Sequence, residues 1–445
     1  MAPSKFAPFA KRLAYGRGLR SVVRRVDQNA WSPSKRPRST LDLLRAADEG
    51  RVAELLPLKY GRMSLSPFAF YRGAAPIMAA DLATLPRTGY HVQICGDAHV
   101  RNLGAYASPD GRIVFDINDF DETFRAPWEW DLKRLAASFV LAGREAKSSD
   151  RACRDAVMAL VASYRRSMAL FAPMPAIELA RYQVHRHLDE GPVHEVLRKA
   201  ERAGPLLSLK KLTVELRGGR RRFAQKPPLL CHVDAPTAKR VLASLGEYRA
   251  TLGPNRQLVL DAYCPVDVAF KVVGTGSVGT RDYVVLAFGN GPKDPLILQV
   301  KQAAPSCYAR YVKEERDVTA HQGRRVAEGQ HRMQTVADPF LGWTSIKGDH
   351  FLVRQLADHK GSLDPGDLKG PTLLDYALVC GEIFAKAHAR TGDAAVLYGY
   401  AGDSDKIDRA LAEFAVLYAD QATRDYETFT AAIKDGRIAA RLPAP

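Results

Sequence analysis

At 445 residues, with 46% hydrophobic and 26% charged side chains, the chain has an ordinary globular composition and room for two or three domain-sized units; no apolar run approaches the ~18 residues that span a bilayer. A formal charge of +16 favours anionic partners (nucleotide, phosphorylated metabolite, nucleic acid or anionic lipid) without choosing among them. The six cysteines (Cys95, Cys153, Cys231, Cys264, Cys307, Cys380) lack CxxC spacing, which argues against a zinc site or disulfide framework and for a reducing cytoplasm, and the first residues lack the apolar core and cleavage site of a secretory signal.

Residues 1–38 mix Lys and Arg with Ser and Pro and are expected to form a mobile or partly helical basic arm. From Thr40 to Leu85 the apolar spacing is helical, and Arg62 and Arg72 flank an aromatic cluster, where they could clamp phosphate or simply pack their stems on the rings. A hairpin is expected over about 90–121, turning at Ser108-Pro109-Asp110-Gly111. Asp97, Asn102 and Asp119 stand at the ends of its apolar runs. The interval from Asp97 to Asn102 matches the phosphotransferase catalytic loop, in which an Asp accepts the substrate hydroxyl proton and an Asn five positions on holds a metal ion. Asp119-Phe120-Asp121 then stands where a magnesium-chelating Asp is needed. Trp128–Leu135 opens an amphipathic helix, with Asp131 either capping it or bracing the loop at 97.

Residues 149–255 read as mostly helical. His185, His187 and His194 lie among charged neighbours and read as solvated surface rather than a metal site, and Lys210–Arg222 reads as a charged hairpin tip or loop. At 268 the pattern turns to strand. Gly274-Thr275-Gly276-Ser277-Val278-Gly279 is followed by another β run rather than a helix, which disfavours a dinucleotide fold and favours a glycine loop folded over phosphates within a hairpin. Lys301 ends the next strand, about where a lysine reaches the α and β phosphates. Its acidic partner is expected to be Glu328, with Glu314 and Glu315 as alternatives. A second hairpin at 341–356 leads to a hinge at 357–360, and helices follow at 374–391 and 404–435.

The catalytic-loop parts thus precede the glycine loop and lysine, the reverse of a standard kinase, and one circular permutation accounts for every part. The segments Gly96-Asp97-Ala98-His99 with Asn102-Leu103-Gly104, Asp116–Thr123, Trp130–Leu135, Gln299-Val300-Lys301 and Val353–Leu356 resemble the DUF2252 family of uncharacterised bacterial proteins. The GDxHxxN and DFD elements are similar to those of aminoglycoside phosphotransferases and choline kinases. The resemblance implies an α+β, two-lobed, circularly permuted protein-kinase-like fold, with Asp97 as base, Asn102, Asp119 and Asp121 at magnesium, Lys301 as phosphate anchor, and Gly274, Gly276, Ser277 and Gly279 at the phosphates of ATP. The chain departs from the family pattern at Gln302, where Glu is expected, and from protein kinases at Asp121, where they carry Gly.

The expected division is a basic arm (1–38), a catalytic-loop and helical part (39–255), a β-rich nucleotide part (256–360) and C-terminal helices returning to the helical part (361–445). The expected function is ATP- and magnesium-dependent phosphotransfer, in the cytoplasm, to a hydroxyl of a small molecule or a protein. The alternatives are nucleotidyl transfer on the same scaffold, if ATP binds reversed, and non-catalytic nucleotide or nucleic-acid binding. Acceptor and oligomeric state are not legible.

Overall fold

The computed structural model describes residues 3–4, 6–184, 191–313, 320–356 and 361–442. The architecture is mixed α+β, built on one six-stranded antiparallel sheet and a large helical body. The chain opens with α1 (Phe9–Val22), α2 (Thr40–Ala47), α3 (Leu56–Met63), α4 (Pro67–Gly73) and α5 (Ala75–Leu82). Side-chain caps start two of these: Ser39 Oγ accepts from Asp42 N–H at 3.2 Å, and Ser66 Oγ from Ala69 N–H at 3.1 Å ahead of Pro67.

The segment expected to be a basic arm is partly helical and docked. Its arginines, which show no common face in sequence, are used singly: Arg20 donates to the carbonyls of Gly399 and Tyr400, Arg25 to that of Ala401, and Arg36 forks onto Asp81 and Asp425. Gly16 allows the closest approach, since a Cβ there would fall 2.0 Å from the Val396 carbonyl oxygen. Arg36→Ala leaves two buried carboxylates facing each other without their cation. It is expected to cost about 3–5 kcal/mol in urea unfolding, with Arg36→Lys recovering little because the bidentate fork is lost.

Next come β1 (His91–Ile94), β2 (Leu103–Ala107), β3 (Ile113–Ile117) and β4 (Phe124–Pro127). The single hairpin expected over 90–121 is two pairs instead. β2 and β3 form the hairpin around 108–111, whereas β1 pairs with β4 in the register Ile94↔Phe124. The loops at 95–102 and 118–123 are thereby laid side by side, with Asn118 N–H donating to Asn102 O at 2.9 Å.

The helical body continues with α6 (Glu129–Glu145), α7 (Asp150–Phe171), α8 (Ala176–Arg181), α9 (Pro192–Glu201) and α10 (Pro205–Leu212). In α6 the periodic positions Leu132, Leu135, Ala136, Phe139 and Val140 are buried, and so are Asp131, Lys133 and Arg134. Then β5 (Thr213–Glu215) and β6 (Arg221–Phe223) form the charged hairpin, followed by β7 (Leu230–His232), α11 (Ala235–Ala250), α12 (Pro254–Asp261), β8 (Cys264–Lys271), β9 (Asp282–Phe288) and β10 (Pro295–Gln302). After α13 (Gln322–Met333), β11 (Gly342–Ile346) and β12 (Asp349–Gln355) complete the sheet, in the order β11-β12-β10-β9-β8-β7. Three strands therefore fall within 149–255, expected to be mostly helical; two of them pair as a hairpin in the charged run Lys210–Arg222, read as a hairpin tip or loop. Each is only three residues long, too short for alternation to register in the sequence.

Val241 and Tyr248 of α11 pack on Val268, Val285 and Val353 of the sheet. The chain closes with α14 (Pro371–Thr391), α15 (Ala394–Ala401) and α16 (Lys406–Lys434), which pack against α6 and α7. Of the expected stripe on α14, Ala377, Phe384, Ala385 and His388 are buried while Leu374 is 41% exposed. Among the described residues no helix is long and apolar enough to cross a membrane.

Candidate functional site

The loop after β1 is shaped by Asp131, whose carboxylate accepts the backbone N–H groups of Cys95 at 2.8 Å and Gly96 at 3.0 Å. Gly96, at φ +83°, presses its Cα face on the Glu122 carbonyl, which ties this loop to the one before β4. Asn102 closes the turn: its amide nitrogen donates to Asp97 O at 2.7 Å, leaving the amide oxygen uncommitted among the described residues. Arg134, one turn along α6 from Asp131, donates from Nε (2.8 Å) and Nη2 to Asp97 Oδ1, and also to Tyr71 O at 3.0 Å. Asp97 Oδ2 is left toward the cleft, 3.8 Å from His99 Nε2. Burial pushes the Asp97 carboxyl up to about 6 against the pull of Arg134, and burial, with Arg72, Arg134 and Arg101 nearby, keeps His99 neutral.

Asp119 and Asp121 occupy one tight turn, Asp119 Oδ1 accepting Asp121 N–H at 3.2 Å. Arg325, from α13, pins that turn by donating to the carbonyls of Asp121, Thr123 and Ala304. Lys301 Nζ pairs with Asp121 Oδ2 across 180 residues of sequence. Burial pushes the Asp121 carboxyl up, but the Lys301 ammonium outweighs it and holds the group below its usual range; Lys301 itself rises because Asp121 and Asp119 outweigh its burial.

This arrangement overturns the expected Lys301–Glu328 pair. Glu328 is held by Arg324 at 2.6 Å and Arg332 at 2.9 Å, because those helix neighbours stand one turn to either side of it. Glu314 and Glu315, and likewise the hinge at 357–360 and His185 and His187, lie outside the described residues. The Glu expected at 302 is not needed beside Lys301. Gln302 accepts Arg281 N–H at 3.1 Å instead.

Opposite Lys301 on β9 stands Asp282, whose Oδ2 accepts from Gln299 at 2.7 Å while Oδ1 is buried without a partner among the described residues. Burial raises this carboxyl to about 7, with Lys301 opposing. Its folded value lies above its unfolded one, so its contribution to stability is full below about pH 4 and is lost as pH rises to 7. Asp282→Asn removes that loss. At about 1.4 kcal/mol per unit, the variant should exceed the natural protein by about 2–4 kcal/mol in urea unfolding at pH 8, with the gap closing at pH 5. A gap independent of pH would contradict this account.

The glycine loop joins β8 to β9 and is fastened to the helical body. Arg62 donates to Gly274 O, Arg51 to Val278 O at 2.7 Å, and Val52 N–H to Gly279 O at 2.7 Å. Gly274 and Gly279 take φ values of +71° and +93°, which side chains resist. Ser277 Oγ donates back to Val273 O at 2.9 Å. Asp97, Asn102, Asp119, Asp121, Gly274, Gly276 and Ser277 line one cleft of about 110 Å³, with Lys301 buried behind Asp121.

The oxygen donors there, one amide and two carboxylates, suit a hard divalent cation. Among the described residues no three His, Cys, Asp or Glu side chains form a metal cluster. Sequence reading missed Arg134, Arg325 and Asp282. Arg134 had a signal, a charge one helical turn from Asp131 and beside the periodic apolar position Leu135 of α6.

Fold and site together define an α+β protein in which a carboxylate-and-amide loop pair faces a glycine loop across a narrow cleft, with a buried lysine behind it. The chain belongs to the DUF2252 family, described as an uncharacterized protein conserved in bacteria, whose model matches residues 51–432. No curated protein and no solved structure matches it.

Proposed function

We propose that this protein is an ATP- and magnesium-dependent phosphotransferase of circularly permuted protein-kinase-like design, acting on a hydroxyl group of a small molecule or a protein. The observation that carries the reading is convergence: Asp97, Asn102, Asp119, Asp121 and the glycine loop line a single cleft, and Lys301 lies against Asp121.

In this mechanism Asp97 Oδ2 takes the proton of the attacking hydroxyl, while Arg134 holds Oδ1 and fixes the carboxylate's orientation. Asn102, Asp119 and Asp121 are the residues that would hold magnesium, which supplies charge neutralisation between the phosphates. The backbone of Gly274–Gly279 covers the phosphates, and Lys301 anchors them once it leaves Asp121. A cleft of about 110 Å³ is smaller than the ~300 Å³ at which ligand pockets begin. Nucleotide entry therefore requires the glycine loop to lift from Arg51, Val52 and Arg62.

The test is incubation of the purified protein with magnesium and ATP labelled at the γ or the α position, beside Asp97→Ala and Asp119→Ala. Release or transfer of γ-label that vanishes in both variants is the expected result. Transfer of α-label would replace it with nucleotidyl transfer. Nucleotide binding without turnover, unchanged by Asp97→Ala, would leave a binding module only.

A further inference from the structure

Arg72 lies at the end of α4 and lines the cleft beside Asp97, Asn102, Asp119 and Gly276. Its neighbours among the cations are all committed. Arg51 donates to Ala47 O and Val278 O, Arg62 to Gly274 O, Arg134 to Asp97 and Tyr71 O, and Lys59 pairs with Asp48. Arg72 makes no hydrogen bond or ion pair through its side chain among the described residues, and its Nε is buried without a partner.

A guanidinium cannot escape such a position by losing its proton, so the fold carries a partly buried cation whose Nε is unsatisfied. Burial is the main influence on it, Arg101 adds repulsion, and the fields of Asp97 and Asp119 partly compensate. What would satisfy the group is an anion whose oxygens match its planar fork, and phosphate is the closest match. Location says which phosphate. Lys301 is buried and paired with Asp121, whereas Arg72 lines the cleft with Asp97, Asn102, Asp119 and Gly276. A Cβ at Gly276 would come within 3.3 Å of the Arg72 carbonyl oxygen.

We propose that Arg72 binds the terminal phosphate of the nucleotide and stabilises its non-bridging oxygens during transfer, as an arginine finger supplied by the same chain. The assignment rests on the phosphotransferase reading. In the step, the acceptor oxygen bonds to the γ-phosphorus, the bond from that phosphorus to the β–γ bridging oxygen breaks, and its electron pair stays on ADP. The hydroxyl proton goes to Asp97, and Arg72 donates hydrogen bonds throughout without exchanging a proton.

The experiment is calorimetric binding of magnesium–ADP and of magnesium with the non-hydrolysable imido analogue of ATP, to the natural protein, Arg72→Gln and Arg72→Lys, alongside thermal melts without nucleotide. The expected result is tighter binding of the triphosphate analogue by the natural protein. Arg72→Gln should lose about tenfold or more of that preference while ADP affinity stays within about twofold, and Arg72→Lys, a point charge without the fork, should restore only part. Because the side chain has no partner to lose, Arg72→Gln should melt at or above the natural temperature.

A preserved triphosphate preference in Arg72→Gln overturns the assignment and leaves the phosphotransferase reading standing. So does a lowered melting temperature with both affinities falling together, which marks a structural role. Equal binding of the two nucleotides by the natural protein also overturns it. Failure of the natural protein to bind either one removes both readings.

Discussion

Asp97→Asn is expected to lower phosphotransfer by a factor on the order of 10²–10⁴, the range for loss of a positioned general base, with nucleotide affinity nearly unchanged. Asn keeps an acceptor for Arg134, so the fold should survive. The natural protein supplies a second signature. Asp97, as the proposed base, would work deprotonated, and burial holds its carboxyl up at about 6 rather than the usual 3.8, so kcat/KM should rise with pH through an apparent pKa near 6 and level off above it. Arg134 opposes that elevation, so Arg134→Met should move the acid limb to higher pH. Stability runs the other way. The folded carboxyl holds its proton to a higher pH than the unfolded one, so its contribution is full below about pH 4 and is lost by pH 6. Full activity in Asp97→Asn, or an acid limb that Arg134→Met leaves in place, would remove Asp97 from the role of base.

Lys301→Met is expected to separate metal binding from nucleotide binding. In the natural protein Lys301 neutralises Asp121, one of the carboxylates that would hold magnesium. Without nucleotide, the lysine therefore competes with the metal. Removing it leaves Asp121, whose side chain is 36% exposed, without its partner, and because solvent covers part of that loss the expected cost is about 1–3 kcal/mol. A divalent cation can take the lysine's place and return about 2.7 kcal/mol at a hundredfold excess over its Kd. The expected pattern is a low melting temperature that magnesium or manganese raises more than it raises that of the natural protein. Manganese binding without nucleotide, read by electron paramagnetic resonance, should be tighter than natural. Turnover should meanwhile fall on the order of 10²–10³-fold, as when one charge-stabilising donor is lost. A variant that melts low and ignores divalent cations would show that Asp121 does not face a metal position.

The legible part of this protein is the part encoded over short distances. The spacing Asp97–Asn102, the Asp119-Phe120-Asp121 turn, the glycine loop between two strands, the turn at 108–111 and the apolar period of α6 are local patterns, written by turn chemistry and by side-chain alternation. So was the bracing role open to Asp131, whose carboxylate holds the N–H groups of Cys95 and Gly96.

Tertiary structure alone decided the rest. β1 could pair with β3 or β4, and only the packing chose β4; β7 was too short to announce itself. The basic N-terminal segment carried charges without a face, and its arginines found carbonyls and carboxylates supplied by α5, α15 and α16. Lys301 took Asp121 rather than Glu328, and Asp97 took Arg134. A buried charge is satisfied by the group the fold packs against it, and that neighbour, here 180 residues away for Lys301, leaves no mark in local spacing because desolvation acts through space and not along the chain.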